Sequence, residues 1–209
     1  MKGLLLKDFY MMAKYCRSYL FITVIFIVVS FFSSENLFFI FYPCLLCGMI
    51  PVNLLAYDEK SKWLQYGETM PFTRAQTVSS KYLIGLFVQG AVLCFTGISQ
   101  AVKMIFNGVF QLGEYLILMM LMLILALVSA SVSLPFLFKL GVEKGRMAYY
   151  IMVGAVCAGS VVSSSIMSEK MSVDIGMNGV LPILCVVGIM MYALSWYLSV
   201  VFYKKREIY

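Results

Sequence analysis

The chain contains no histidine, and only 12% of its 209 residues are charged. Histidine is the side chain that most often serves as a catalytic base near neutral pH, and it is also the commonest metal ligand. An intramembrane serine protease with a histidine base and a metalloprotease of the HExxH kind are therefore excluded. A lysine-based dyad would need a lysine inside a membrane helix, and the long uncharged runs contain none.

The sequence also lacks a phosphate-binding loop, which requires the spacing GxxxxGK followed by Ser or Thr. The nearest arrangement, GVEKGR at Gly141 to Arg146, has neither that spacing nor the hydroxyl. We therefore expect no cofactor on this chain, and any ATP and Mg²⁺ that drive it should be bound by a separate subunit.

Cysteine is sparse, with six residues at positions 16, 44, 47, 94, 157 and 185. Cys44 and Cys47 form a CxxC pair, but no second pair and no histidine accompany it. We expect these cysteines to be small apolar helix residues and to form neither a metal site nor a redox site.

Hydrophobic residues, in contrast, make up 62% of the chain, which is more apolar surface than one soluble core of this size could bury. A helix that crosses a bilayer needs roughly 20 mostly apolar residues. The uncharged runs are continuous and of helix length, whereas barrel strands would alternate. The sequence therefore predicts an all-α membrane protein, one domain over 1–209, with six transmembrane helices at about 18–34, 36–57, 82–102, 115–138, 147–168 and 179–203.

Most of the 16 lysines and arginines fall in four segments: the N-terminal segment, the loop 57–81, the turn 139–146 and the C-terminus. The positive-inside rule then places both termini and these loops in the cytoplasm of a multi-pass protein of the cell membrane. The net charge of +6 is explained by this topology and by anionic lipid, so we expect no nucleic-acid partner.

The segment 1–17 precedes the first predicted span. As a helix, it would place Leu5, Phe9, Met12 and Cys16 on one side and Lys7, Tyr10, Lys14 and Arg17 on another. That division is typical of a helix in the headgroup plane. The alternative is a straight continuation of the first membrane helix.

The loop Tyr57 to Lys81 is longer than a simple connection requires. We predict a short amphipathic coupling helix over Asp58 to Tyr66, in which Trp63 and Tyr66 share a face. The sequence TRAQ, at Thr73 to Gln76, matches a capping box that begins the third membrane helix. The loop is either a docking surface for a cytoplasmic partner or an interfacial loop whose aromatic side chains anchor in headgroups.

Two predicted spans carry stripes of small residues, which let neighbouring helices approach closely. We interpret both as helix-packing faces, although either could line a pathway: Ala126, Ser129, Ala130 and Ser133 in the fourth span, and Gly154, Ala155, Ala158 and Gly159 in the fifth. Hardly any ionisable residue lies deep in a span, which disfavours ion-coupled carriers, proton pumps and voltage sensors.

Two stretches carry a resemblance to a known family: YDEKSKWLQYGETMPFTRAQTVSSKYL, which follows the second span, and PFLFKLGVEKGR, which follows the fourth. They resemble the membrane subunits of type-2 ABC transporters, the ABC-2 family, and in particular their small bacterial permeases. The matching positions are Asp58, Glu59, Trp63, Tyr66, Pro71, Arg74, Lys81 and Tyr82, and Met70 stands where that family commonly has Leu. Within the family, the chain is most similar to the permeases of phenol-soluble modulin exporters of Gram-positive bacteria.

The resemblance implies a pore of two six-helix permeases, as a homodimer or a heterodimer, in membrane lipid above two cytoplasmic ABC ATPase subunits. It implies export of amphipathic or hydrophobic peptides, with ATP and Mg²⁺ on the partner ATPase. The residues then expected to dock the ATPase are Asp58, Glu59, Lys60, Lys62, Trp63, Tyr66, Arg74, Glu143, Lys144 and Arg146.

Two alternatives stay open. One is an immunity permease that expels foreign antimicrobial peptides. The other is a membrane sensor or scaffold that transports nothing and uses its charged loop to dock a signalling protein.

Overall fold

A computed structural model describes residues 2–32, 37–67, 69–70, 72–108, 111–169 and 177–205, and most side chains between 156 and 181 are outside that description. Within these ranges every regular element is a helix and none is a strand. The helices are α1 (Lys2–Tyr15), α2 (Arg17–Phe32), α3 (Leu37–Gly48), α4 (Ile50–Lys60), α5 (Trp63–Gly67), α6 (Arg74–Phe106), α7 (Leu112–Leu140), α8 (Val142–Glu169) and α9 (Met177–Lys205).

Four helical segments in the described part of the chain are long and apolar enough to cross a membrane: Phe38–Lys60, Arg74–Phe106, Leu112–Leu140 and Pro182–Lys205. They correspond to the second, third, fourth and sixth predicted spans. The first predicted span, 18–34, corresponds to α2, which is long enough to cross a membrane only when α1 is counted with it. The fifth falls on α8, in which positions 156, 157 and 159–169 have side chains outside the description. The described residues thus contain four helical segments suited to cross a membrane, or five with the bent pair, and the count of six stays a prediction.

The helices α1 and α2 meet at an angle of 68°, so the N-terminal segment does not continue straight into the membrane helix. Cys16, fully buried, lies at the elbow. The buried face of α1 consists of Leu4, Asp8 and Met12. It differs from the predicted apolar side, because Phe9 is exposed and an acidic residue takes a central buried position.

The capping box at the start of α6 is confirmed. The Thr73 hydroxyl accepts a hydrogen bond from the Gln76 backbone N–H at 3.3 Å, and the Gln76 side chain accepts one from the Thr73 backbone N–H at 3.2 Å. These two bonds satisfy amides that a helix start leaves without intrahelical partners. They fix where α6 begins, and α6 then continues for 33 residues.

The two stripes of small residues lie in different surroundings. On α7, Ala126, Ser129, Ala130 and Ser133 are all buried. A methyl group on Gly48 of α3 would come within 3.1 Å of the Ser129 hydroxyl, which shows how closely α3 and α7 approach.

On α8, Gly154, Ala155 and Ala158 are exposed, and the surroundings of Gly159 lie outside the description. A methyl group on Gly154 would have no neighbour within 4 Å. Within one chain, therefore, the described α8 residues do not form the predicted packing face. The helix packs against α7 through its first turns, where a methyl group on Gly145 would overlap Leu137.

Candidate functional site

The stretch Asp58 to Tyr66, which the sequence predicted as one helix, is divided between two helices. The helix α4 continues to Lys60, and α5 begins at Trp63. Between them Lys62 has φ 54°, the only positive φ at a residue other than glycine in the described chain. Left-handed backbone is disfavoured for a side chain with a Cβ, so this turn is a strained joint that separates α5 from the membrane helix.

Asp58, predicted to contact a partner protein, instead points into the molecule and is 1% exposed. Its carboxylate accepts a hydrogen bond from Lys81 Nζ at 2.5 Å and another from Lys7 Nζ at 2.7 Å. The first donor lies on α6 and the second on α1. Asp58 therefore joins the end of α4 to two other helices.

Asp8, on the buried face of α1, completes the arrangement. Lys81 Nζ donates to Asp8 Oδ1 at 2.7 Å, and the Ser80 hydroxyl donates to Asp8 Oδ2 at 3.2 Å. Lys7 Nζ lies 3.2 Å from Asp8 Oδ1. We call Lys7, Asp8, Asp58 and Lys81 the four-charge cluster. Its two positive and two negative charges balance, as the burial of charged side chains requires.

The cluster ties the middle of α1 to the end of α4 and the second turn of α6. Asp8, Asp58 and Lys81 are each no more than 1% exposed. Removal of one member would leave an opposite charge buried without compensation, which typically costs 3–5 kcal/mol. This balanced network therefore links the three helices.

Trp63 and Tyr66 lie on α5 beside the cluster. Their ring centroids are 5.6 Å apart, Tyr66 is 56% exposed, and Trp63 is partly exposed. Lys7 Nζ lies 4.3 Å from the centroid of the Trp63 ring, a distance at which a cation and an aromatic face attract each other. The Trp63 ring of this pair therefore contacts a member of the four-charge cluster directly.

A small cleft of about 20 Å³ opens next to this pair, where α1, α5, the start of α6 and the end of α9 meet. Trp63, Phe72 and Tyr203 line it together with Leu4 and Arg74. The Arg74 guanidinium also donates to the Lys204 backbone carbonyl at 3.0 Å, so Arg74 holds the last turn of α9.

Glu59 links α4 to the first turn of α8. Its Oε2 accepts from the Val142 backbone N–H at 3.4 Å, a favourable place for a negative charge because helix starts carry free amides. Close by, Arg146 Nη2 donates to Asn53 Oδ1 at 3.2 Å. The two stretches predicted as separate docking contacts, 58–66 and 139–146, are thus joined to each other within the chain.

The residues expected to dock a partner therefore divide into two groups. Those with exposed side chains are Lys60, Lys62, Tyr66, Glu143 and Lys144, and Trp63 joins them as a partly exposed residue. Those that bond to other parts of the chain are Asp58, Glu59, Arg74 and Arg146. The sequence could not separate these groups, since each inward residue has its partner on a distant helix.

The sequence reasoning missed a second polar contact, between α6 and α9. The Tyr82 hydroxyl lies 2.7 Å from both the Ser195 and the Ser199 hydroxyls, and all three groups are buried. Ser195 also donates to the Ser131 carbonyl on α7 at 2.8 Å. Tyr82 directly follows Lys81, so adjacent residues of α6 bind to α1 and α4 on one side and to α9 on the other.

Among the described residues, no group of three or more His, Cys, Asp or Glu side chains could hold a metal ion.

Comparison with known protein families identifies a family for this chain. A family model described as "ABC-2 family transporter protein" matches residues 3–204, which include every member of the four-charge cluster and all of α5. No curated protein and no solved structure gives a significant match.

Proposed function

Since the chain belongs to the ABC-2 family of transporter proteins and is a membrane subunit of an ABC transporter, we propose that it exports amphipathic or hydrophobic peptides. The energy comes from ATP hydrolysed by a separate ABC ATPase, because this chain has no phosphate-binding loop. Two copies, or this chain with a related one, form the pore, and both termini lie in the cytoplasm. Six spans in each chain are part of this proposal.

The observation that carries the docking proposal is the exposed pair Trp63 and Tyr66 on a helix that a strained turn at Lys62 separates from α4. Tryptophan and tyrosine often dominate the binding energy of protein interfaces. The outward-pointing Lys60, Lys62, Glu143 and Lys144 supply a charged rim around this pair. We assign this surface to the ATPase.

Movement of the docked ATPase reaches the membrane helices through the four-charge cluster. A displacement of α5 acts on Lys7 through the Trp63 ring and on α4 through the chain itself. Lys81 then transmits it to α6, whose 33 residues form one continuous helix. The capping box lets α6 move as a rigid element from its first residue. Movement of a few rigid elements is the usual way in which nucleotide closure shifts a transporter between states.

The cargo assignment is supported by the resemblance to phenol-soluble modulin exporters and by the composition. The chain has 16 methionines, whose flexible side chains adapt to varied apolar surfaces. An immunity permease for foreign antimicrobial peptides would use the same machinery. ATPase stimulation separates the two, because the true cargo raises the rate of ATP hydrolysis by the reconstituted complex and the other peptide class does not.

A pull-down tests the docking surface. The tagged chain is purified from its native membrane in mild detergent beside a Trp63→Ala, Tyr66→Ala double variant, and mass spectrometry identifies the chains that co-purify. Tyr10→Ala is the matched control, since Tyr10 is an exposed aromatic residue on neighbouring α1. We expect an ATPase with the wild type and with the control, and none with the double variant.

Two outcomes would change this reading. Equal ATPase recovery with the double variant would remove the aromatic pair from the docking surface. Absence of any ATPase from the wild type, under conditions that preserve other transporter complexes, would favour a membrane sensor or scaffold that docks a signalling protein.

A further inference from the structure

Two apolar clefts lie side by side along α6, and Phe87 lines both. The first, of about 490 Å³, is bounded by α1 through Leu5 and Phe9 and by the first turns of α6. The second, of about 360 Å³, is bounded by α2 through Val28 and by α6 as far as Phe95. The 68° elbow between α1 and α2 holds these two helices apart on one side of α6. We call the two clefts together the α6 groove.

The length of the α6 groove matches one leaflet of a bilayer. It runs from Leu83 to Phe95, which at 1.5 Å per residue is roughly 18 Å. Half of a hydrocarbon core about 30 Å thick is about 15 Å. The groove begins two residues after Lys81, at the end of α6 where the charge distribution places the cytoplasmic face. It therefore spans the inner leaflet.

The groove is nearly free of polar groups along its length but has a basic side chain at its open end. Lys2 lines the first cleft, on the first turn of α1. An ammonium group at headgroup level beside an apolar channel complements a lipid phosphate followed by its acyl chain. Lys7, further along α1, is already engaged in the four-charge cluster and is not available for this contact.

The near absence of polar groups in both clefts favours an apolar chain as their occupant. A single acyl chain is long and thin and needs no hydrogen-bond partner. We propose that the α6 groove is a binding site for one acyl chain of an anionic inner-leaflet phospholipid, whose phosphate contacts Lys2. This inference does not depend on the identity of the exported cargo.

Native mass spectrometry of the purified full chain tests the proposal, with phosphatidylglycerol and phosphatidylcholine of identical acyl chains as probes. One basic contact near a membrane surface contributes about 1 kcal/mol, so we expect phosphatidylglycerol to be retained about fivefold better. Lys2→Gln should abolish this preference. Lys14→Gln, which removes an exposed lysine of the same helix outside the groove, should leave it unchanged.

Filling the groove tests the acyl site separately from the headgroup contact. Ala91 lines the second cleft, so Ala91→Phe should reduce retention of both lipids. Ala91→Leu provides a milder change if the larger side chain prevents folding, which gel filtration would reveal. Equal retention of the two lipids by the wild type would overturn the proposal, as would unchanged retention by both Ala91 variants. An amphipathic peptide that displaces phosphatidylglycerol, and whose own binding the Ala91 variants weaken, would show that the groove belongs to the cargo.

Discussion

Lys81 Nζ lies 2.5 Å from Asp58 Oδ2, and neither side chain is more than 1% exposed. Asp58 is near the end of α4, and Lys81 is in the second turn of α6. The pair therefore joins the two ends of the segment 59–80, which contains α5. Because the partners are buried, water screens their attraction little, and the closure holds the two membrane helices in one relative position.

Lys81→Met should strongly destabilise the protein. The substitution leaves Asp8 and Asp58 with Lys7 as the remaining basic member of the four-charge cluster. We expect a loss of about 3–5 kcal/mol, typical for breaking a buried ion pair, observed as a lower thermal unfolding temperature in detergent. Lys144→Met, at an exposed position, is the control. An unfolding temperature equal to that of the wild type would mean that the cluster is not a structural tie.

Lys62→Gly should leave stability nearly unchanged, because the relief of left-handed strain offsets the greater flexibility of glycine in the unfolded chain. The matched change Lys60→Gly, in the last turn of α4, has no strain to relieve and should cost roughly 0.5–1 kcal/mol. Thermal unfolding of both variants compares the two effects. If Lys62→Gly is the more damaging substitution, the turn is not strained.

Gly145→Ala should be poorly tolerated. A methyl group there would come within 2.6 Å of Leu137 Cδ1 and 2.9 Å of Leu137 Cα, and a backbone atom cannot move aside as a side-chain end can. Overpacking of this kind typically costs 1–3 kcal/mol. Gly154→Ala lies on the same helix with open space around it and should be neutral or slightly stabilising. Equal folded yields of the two variants would contradict the close contact of α7 and α8.

Tyr82→Phe should cost about 1–2 kcal/mol, because it removes a buried hydroxyl that bonds to both Ser195 and Ser199. The helix α9 should loosen from α6, which hydrogen exchange of α9 amides would detect. Tyr197→Phe is the comparison, since Tyr197 is exposed on the same helix. Exchange protection that does not change in Tyr82→Phe would show that apolar packing alone holds the two helices.

Trp63→Ala should weaken ATPase binding at least tenfold, which corresponds to the loss of one anchor residue of an interface. It also removes the ring on which Lys7 rests. Titration of the purified ATPase into nanodiscs that hold the permease measures the affinity, and peptide-stimulated ATP hydrolysis measures coupling. Survival of both binding and ATP-stimulated transport would show that Trp63 is not an anchor.

Part of this architecture follows from local sequence alone. Uncharged runs of helix length predicted membrane helices at about 36–57, 82–102, 115–138 and 179–203, because burying a backbone in lipid requires continuous helical hydrogen bonding. The corresponding helical segments in the structure are Phe38–Lys60, Arg74–Phe106, Leu112–Leu140 and Pro182–Lys205. The capping box at Thr73 was also predictable, since both of its bonds join residues three positions apart. The resemblance to the ABC-2 family was carried by short stretches of motif and is confirmed by the family match over residues 3–204.

The orientation of individual charges was decided by tertiary structure. Asp8 and Lys81 lie 73 positions apart in the sequence, and no periodic pattern in either segment shows that they meet. Asp58 and Glu59 are adjacent acidic residues, yet one bonds to α1 and α6 and the other to the start of α8. Local sequence determined that long uncharged segments are helices and where α6 begins, but it did not show the break between α4 and α5 at Lys62. Only the packing of distant helices decided which charged side chains are buried as partners and which remain exposed.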